Sequence, residues 1–164
     1  MTETINEFME IDEDTQKDRY LTFLLEGECF GIEIKYVTEI IGIQTITVIP
    51  ELPAYVKGII NLRGKIIPVI DVRRRFRKKA KEYNDRTCII IVDIKELSVG
   101  LIVDSVAEVI TIPEKDIVDP PQFSGEANNR YIKKIGKAGS SVKLLLDCER
   151  LLTETDMEEL SEVI

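Results

Sequence analysis

Apolar positions in this chain fall in short runs rich in Ile, Val, Leu and aromatic residues, broken by Gly, Asn, Asp and charged pairs. Such runs predict strands rather than helices. "YLTFLLEG" followed by "ECFGIEI" reads as two strands joined at Glu26-Gly27, and "TCIIIVD" followed by "LSVGLIV" reads as a second such pair. After each pair comes a segment closing on Val-x-Glu-Ile/Val-Ile, then Pro50-Glu51 or Pro113-Glu114, then a hairpin whose return strand ends at an aspartate. Asp71 and Asp147 are placed to cap short helices, "VRRRF" and "CERLL", by accepting from free backbone N–H groups. Only the tail, "TETDMEELSEVI", has helical spacing, with Met157, Leu160 and Ile164 on one face.

These elements repeat. "FGIEIKYVTEII" (30–41) lies over "VGLIVDSVAEVI" (99–110) without gaps, matching Gly31 with Gly100, Val37 with Val106 and Glu39 with Glu108. "VKGI" with "IIPVIDVRRRF" lies over "IKKI" with "VKLLLDCERLL" in one register, matching Asp71 with Asp147. The expected organisation is mainly β: an acidic arm over 1–18, two curled sheets over 20–76 and 87–152 joined by a basic linker at 77–86, and a C-terminal helix over 153–164. Pro68 lacks a ladder donor and has Leu144 as its counterpart, so the return strand of the first hairpin is expected at a sheet edge.

Composition narrows the function. A chain of 164 residues with 44% hydrophobic and 32% charged residues is long enough to bury a core. The longest aliphatic stretch, Ile66 to Ile70, is too short to span a bilayer, and the acidic start has no signal-peptide pattern, which places the protein in the cytoplasm. Cys29, Cys88 and Cys148 then read as buried reduced thiols. The chain contains no histidine, which removes the usual base at neutral pH and the commonest metal ligand. "IGKAGSS" fails the phosphate-loop spacing, "DEDTQKD" has Lys17 where a calcium loop needs glycine, and Glu33 with Glu39 is a weak acid–base pair. The expectation is no enzyme activity, no cofactor and no metal.

Net charge is −8, with carboxylates crowding both ends and Arg73, Arg74, Arg75, Arg77, Lys78, Lys79 and Lys81 between them. A polyanion-binding surface needs interleaved aromatic residues and an unopposed field, so a solvated linker is the preferred reading and nucleic acid is not an expected partner.

Arg63, in "NLRG", resists a local explanation. The second copy has "GKAGSS" at the same hairpin, so the repeated plan does not demand an arginine. Gly64 suits a tight turn, and Asn61 suits bonding to its backbone. Arg63 is assigned to recognition.

The stretches "FGIEIKYVTEI", "PAYVKGIINLRGKIIPVIDVRRRF", "VGLIVDSVAEVI" and "LLLDCERLL", in that order over about residues 19–160, resemble the CheW family of chemotaxis coupling proteins. The resemblance implies two SH3-like five-stranded β-barrel subdomains with short helices. It further implies a non-enzymatic adaptor that joins the histidine kinase CheA, through a regulatory domain that is itself CheW-like, to the cytoplasmic tips of chemoreceptors, reaching the membrane only through those receptors. A scaffold of another two-component pathway, such as surface motility, is the alternative. By motif, Arg63, Asn61, Ile34 and Val109 fall at the receptor-facing groove, and Val37, Glu39 and Gly58 at the kinase contact. Lys134 departs from the pattern, standing where the family has glycine.

Overall fold

The computed structural model describes residues 16–121 and 130–163. The arm expected over 1–18 lies outside the described residues as far as position 15, as does Ile164 of the tail. Eleven strands are described: β1 (Arg19–Leu25), β2 (Glu28–Glu33), β3 (Val37–Gly42), β4 (Val56–Leu62), β5 (Lys65–Asp71), β6 (Cys88–Ile94), β7 (Leu97–Val103), β8 (Ser105–Thr111), β9 (Ile117–Val118), β10 (Ile132–Ala138) and β11 (Ser141–Leu146). Helix α1 (Val72–Arg75) follows β5, and α2 (Glu154–Val163) ends the described chain.

The strands form two sheets, in the orders β8-β1-β2-β11-β10-β9 and β3-β6-β7-β5-β4. Each sheet curls until its two edges are joined by the chain itself: after β3, Thr47 bridges to Ile59 on β4, and after β8 the chain enters β9, which pairs with β10. The mainly β, double-barrel architecture is as expected, but the repeat does not divide where the sheets divide. The β1–β2 hairpin joins β8 and β11 of the second half, while β6–β7 joins β3 and β5 of the first. The spans 20–76 and 87–152 therefore each contribute to both barrels. Repeated strands carry the same alternation and the same register signals, so local pattern fixes which face a strand buries without fixing which copy it pairs with.

Burial on two faces accounts for the continuous apolar runs. Along β6, Ile90, Val92 and Ile94 enter one core shared by both barrels, whereas Ile89 and Ile91 fill the interior of the β3-β6-β7-β5-β4 barrel, the first barrel, with Ile60, Ile67, Val69 and Ile102. A smaller cluster of Tyr20, Ile112 and Leu145 fills the other barrel. The matched glycines sit where the parallel strands meet, Gly31 opposite Leu145 and Gly100 opposite Val69. A Cβ at Gly100 would come within 2.8 Å of Ile89. Both aspartate caps form, Asp71 accepting from the Arg73 N–H and Asp147 from the Glu149 N–H, each at 3.0 Å.

β5 is not an edge strand, contrary to expectation: it lies between β4 and β7. Its proline is accommodated locally. Ile59, opposite Pro68, turns its own N–H and C=O to Thr47, so that pair carries no bond across β4–β5 and the missing donor points away from β4. Pairing with β7 begins only at Val69.

The basic run is likewise not a solvated linker throughout. The Arg73 Nε donates to Asp104 at 2.6 Å and its Nη1 to the Lys79 carbonyl at 3.0 Å, Lys78 pairs with Glu26, and Arg75 donates to the Leu151 carbonyl at 2.7 Å. These three side chains are only 10–12% exposed. Each ties α1 and the segment after it to a turn or tail elsewhere, which removes them from any polyanion-binding surface. Arg77, Lys79 and Lys81 remain exposed. Of the thiols, Cys148 alone is fully buried, whereas Cys29 and Cys88 are half-buried, and all three are free. The tail forms the expected helix: Thr153 and Asp156 cap its start reciprocally, Leu160 is buried and Met157 packs on the shared core.

Candidate functional site

The β4–β5 hairpin closes through two residues with left-handed backbone, Arg63 at φ 52° and Gly64 at φ 87°. This geometry matches the twist of the flanking strands. Asn61 supports it as expected, its Oδ1 accepting from the Gly64 N–H at 2.8 Å. The Arg63 guanidinium forms an ion pair with Glu39 and remains 70% exposed, against 20% for Glu39. Since β3 and β4 are the two outer strands of their sheet, the pair straps the open seam of that barrel. Two residues that the resemblance divides between a receptor face and a kinase face are thus direct partners.

Magnitudes show why the fold does not need this arginine. An exposed ion pair contributes about 0–1 kcal/mol, while a non-glycine residue in the left-handed region costs of order 1–3 kcal/mol. The second hairpin places Gly139, at φ 62°, where the first has Arg63.

Other expected site residues are not on the surface. Ile34 is 0% exposed and Val37 3%, both within the shared core, so neither offers a side chain to a partner. Gly58 is buried at a bulge in β4, where a Cβ would lie 2.2 Å from the Thr47 carbonyl oxygen. Its glycine is explained by that backbone crossing. Val109 is half-buried on β8, opposite Leu21. What accompanies Arg63 at the surface was not legible in the sequence: Ile66, 37% exposed and paired across the hairpin with Asn61, and Val48, 71% exposed just past the bridge to β4. Ile66 shares a face with Pro68 and Ile70, two and four positions on, but the hairpin outruns the core, a matter of strand length that "KIIPVI" does not encode. In the second barrel Lys134 occupies the bulge equivalent to Gly58 and pairs with Asp119. There Val118 of β9 pairs with Ile135, one position past the bulge, as Thr47 pairs with Ile59 one position past Gly58.

A cavity of about 950 Å³ opens on the second barrel between Lys17, Tyr20, Glu33, Lys35 and Lys133. Three of its charged groups are paired with one another, Glu33 with Lys133 and Lys35. Burial alone would raise the Glu33 carboxyl, but the hydrogen bond and charge of Lys133, then Lys35, hold it below the ordinary value. Burial pushes the Tyr20 phenol and the Cys148 thiol up to about 12, away from nucleophilic forms at neutral pH. Among the described residues no group of His, Cys, Asp or Glu is arranged to hold a metal ion, and no helix is long and apolar enough to cross a membrane.

A double barrel with a shared core, an exposed arginine at a hairpin tip and apolar side chains beside it defines a scaffold whose surfaces serve contact. Comparison gives that class a family: residues 19–156 match the CheW-like domain. The chain is 33% identical over 144 residues to the chemotaxis protein CheW of Klebsiella aerogenes, covering 88% of this chain and 87% of that one. To the chemotaxis protein CheW of Treponema pallidum it is 34% identical over 147 residues, covering 87% and 86%. The crystal structure of the scaffolding protein TtCheW from Thermoanaerobacter tengcongensis superposes with a TM-score of 0.78 at 37% identity, covering 85% of this chain and 94% of that one. The chain belongs to the CheW-like family, and its role is that of a chemotaxis adaptor.

Proposed function

We propose that this adaptor holds the CheW-like regulatory domain of the histidine kinase CheA beside the cytoplasmic tips of chemoreceptors, and so is brought to the inner face of the membrane through them. The receptor's helical tip lays apolar side chains against Ile66 and Val109, while Arg63 leaves Glu39, or bonds alongside it, to meet a carboxylate or carbonyl of the incoming helices. The kinase domain docks on the first barrel's apolar edge, where Val48 stands exposed next to Glu39's seam. No chemistry takes place in the adaptor; its effect is the relative placement of its partners.

The observation that supports this reading best is Arg63 itself, an exposed cation kept at a left-handed turn position that the second copy gives to glycine. The test is affinity purification with a receptor-tip fragment and, separately, with a kinase fragment containing only the regulatory domain. Arg63→Ala is expected to lose the receptor fragment and keep the kinase fragment, while Val48→Lys does the reverse. Equal retention of both fragments by both variants would reject the assignment.

A further inference from the structure

The two barrels repeat one frame, and they differ at the mouth of the second. Gly31 on β2 matches Gly100 on β7, so Tyr20 opposite Glu33 on β1 and β2 is the counterpart of Ile89 opposite Ile102 on β6 and β7. In the first barrel those two isoleucines are 0% and 2% exposed and belong to the apolar filling. The frame therefore does not require polar groups at this place. In the second barrel a phenol and a carboxylate stand there instead, on the wall of the cavity of about 950 Å³.

Tyr20 is only 7% exposed, and its ring packs with Ile112 and Leu145. Among the described residues its hydroxyl has no hydrogen-bond partner, yet it is not sealed from solvent, so it opens into the cavity that the side chain lines. Burial, with the charges of Glu33, Asp18 and Glu114, raises the phenol to about 12, so at neutral pH it keeps its proton and can donate. Those three carboxylates are outnumbered. Lys17, Arg19, Lys35, Lys133 and Lys134 line the same cavity, five cations against three carboxylates in a chain whose net charge is −8. Glu33 is shared between Lys133 and Lys35, so it neutralises neither in full, and Lys17 has no ion-pair partner among the described residues.

We propose that the mouth of the second barrel binds a phosphate monoester, whose phosphate accepts from the Tyr20 hydroxyl and from the ammonium groups of Lys17, Lys35 and Lys133, while its ester group lies beside Ile117. Lysine meets phosphate as a point charge, and a monoester at neutral pH carries a charge of about −1.5 to −2, which the surplus of cations balances. Small-molecule sites enclose about 300–1,000 Å³, so a cavity of about 950 Å³ has room for a ligand the size of a nucleoside monophosphate and not for an inorganic ion alone. The Arg63 hairpin belongs to the first barrel, so this site stands independently of the adaptor reading.

The test is calorimetric titration of the full chain with phenyl phosphate, beside benzoate at the same ionic strength. Phenyl phosphate is expected to bind saturably, and benzoate at least about tenfold more weakly. Tyr20→Phe removes only the hydroxyl and Lys17→Gln only an unpaired charge, and each is expected to weaken phenyl phosphate about tenfold while the melting temperature stays that of the parent chain. Absence of saturable binding, equal binding of benzoate, or variants that bind as the parent does would each overturn the inference. Vesicles of phosphatidylcholine carrying phosphatidic acid, whose headgroup is the same monoester, separate the sources. Sedimentation with them that Tyr20→Phe abolishes assigns a lipid headgroup to the site, and no sedimentation beside phenyl phosphate binding assigns a soluble ester.

Discussion

The Arg75 guanidinium sits over the Tyr55 ring, 4.1 Å from its centroid, while its Nε donates to the Leu151 carbonyl. Its Nη2 reaches Asp156 at 3.3 Å, at the start of α2, so one side chain from the first half of the chain fixes the beginning of the tail helix. Stacking of this kind contributes about 0.5–2 kcal/mol, and hydrogen bonds to a charged group about 1.5–3 kcal/mol each. Arg75→Ala is expected to destabilise the protein by about 2–4 kcal/mol in urea unfolding. Arg75→Lys should recover less than half of that, because an ammonium neither stacks nor bonds in a planar fork. Full recovery with lysine would show that charge alone matters at this position.

Gly58 gives a sharper contrast between the copies. A Cβ at that position would come 2.2 Å from the Thr47 carbonyl oxygen, and φ is 153°. Gly58→Ala must displace the bridge between Thr47 and Ile59, and is expected to cost about 2–4 kcal/mol, as other overpacked sites do. Lys134→Gly, at the equivalent bulge, loses an exposed ion pair with Asp119 and is expected to change stability by less than about 1 kcal/mol. Denaturant midpoints of the two variants, measured side by side, check both statements. A small effect at Gly58 would mean that the segment over 46–47 is free to move aside.

This contrast also shows what the sequence can and cannot express. Its alternation and its duplication disclose the strands, the matched glycines, the aspartate caps at Asp71 and Asp147, and the turn support from Asn61, because each is decided within a few residues. The exchange of hairpins between the two barrels is decided by pairing across the whole chain. The burial of Ile34 and Val37 is of the same kind, for an apolar residue at a motif reads alike whether it meets a partner or a core. The ion pair between Arg63 and Glu39 joins positions on opposite edges of a curled sheet, so only the closed barrel brings them together.

Removing Arg63 separates stability from recognition in a way alanine alone does not. Glycine accepts the left-handed turn without strain, so Arg63→Gly exchanges about 0–1 kcal/mol of ion pair for relief of backbone strain. The expected outcome is a melting temperature equal to or slightly above that of the parent chain, together with weakened capture of the receptor-tip fragment. Arg63→Ala should melt slightly lower than Arg63→Gly, since alanine keeps the strained φ and loses the ion pair. If Arg63→Gly unfolds substantially earlier than the parent, the seam strap is a structural necessity and its exposure is incidental.

The acidic limb of the stability curve follows from carboxylates held below their ordinary values, among them Asp104, between β7 and β8, and Glu33, at the end of β2. Burial by itself would raise the Asp104 carboxyl, but the hydrogen bonds from Arg73 and the Glu26 N–H, with the Arg73 charge, lower it beneath its ordinary value of 3.8. Lys133 and Lys35 lower Glu33 beneath its ordinary 4.5 in the same way. A carboxyl whose folded value lies below its unfolded value binds more protons when unfolded. Its contribution is therefore present in full above the unfolded value and is lost as pH falls through the folded one. Stability should accordingly hold from neutral pH down to about 5 and decline progressively below about 4. Asp104→Asn, which cannot titrate, should be less stable than the parent at pH 7, with the difference shrinking toward pH 3. Urea midpoints at pH 7, 5, 4 and 3 read this directly, and a difference that stays constant across the series would exclude Asp104 as a source of the acid sensitivity.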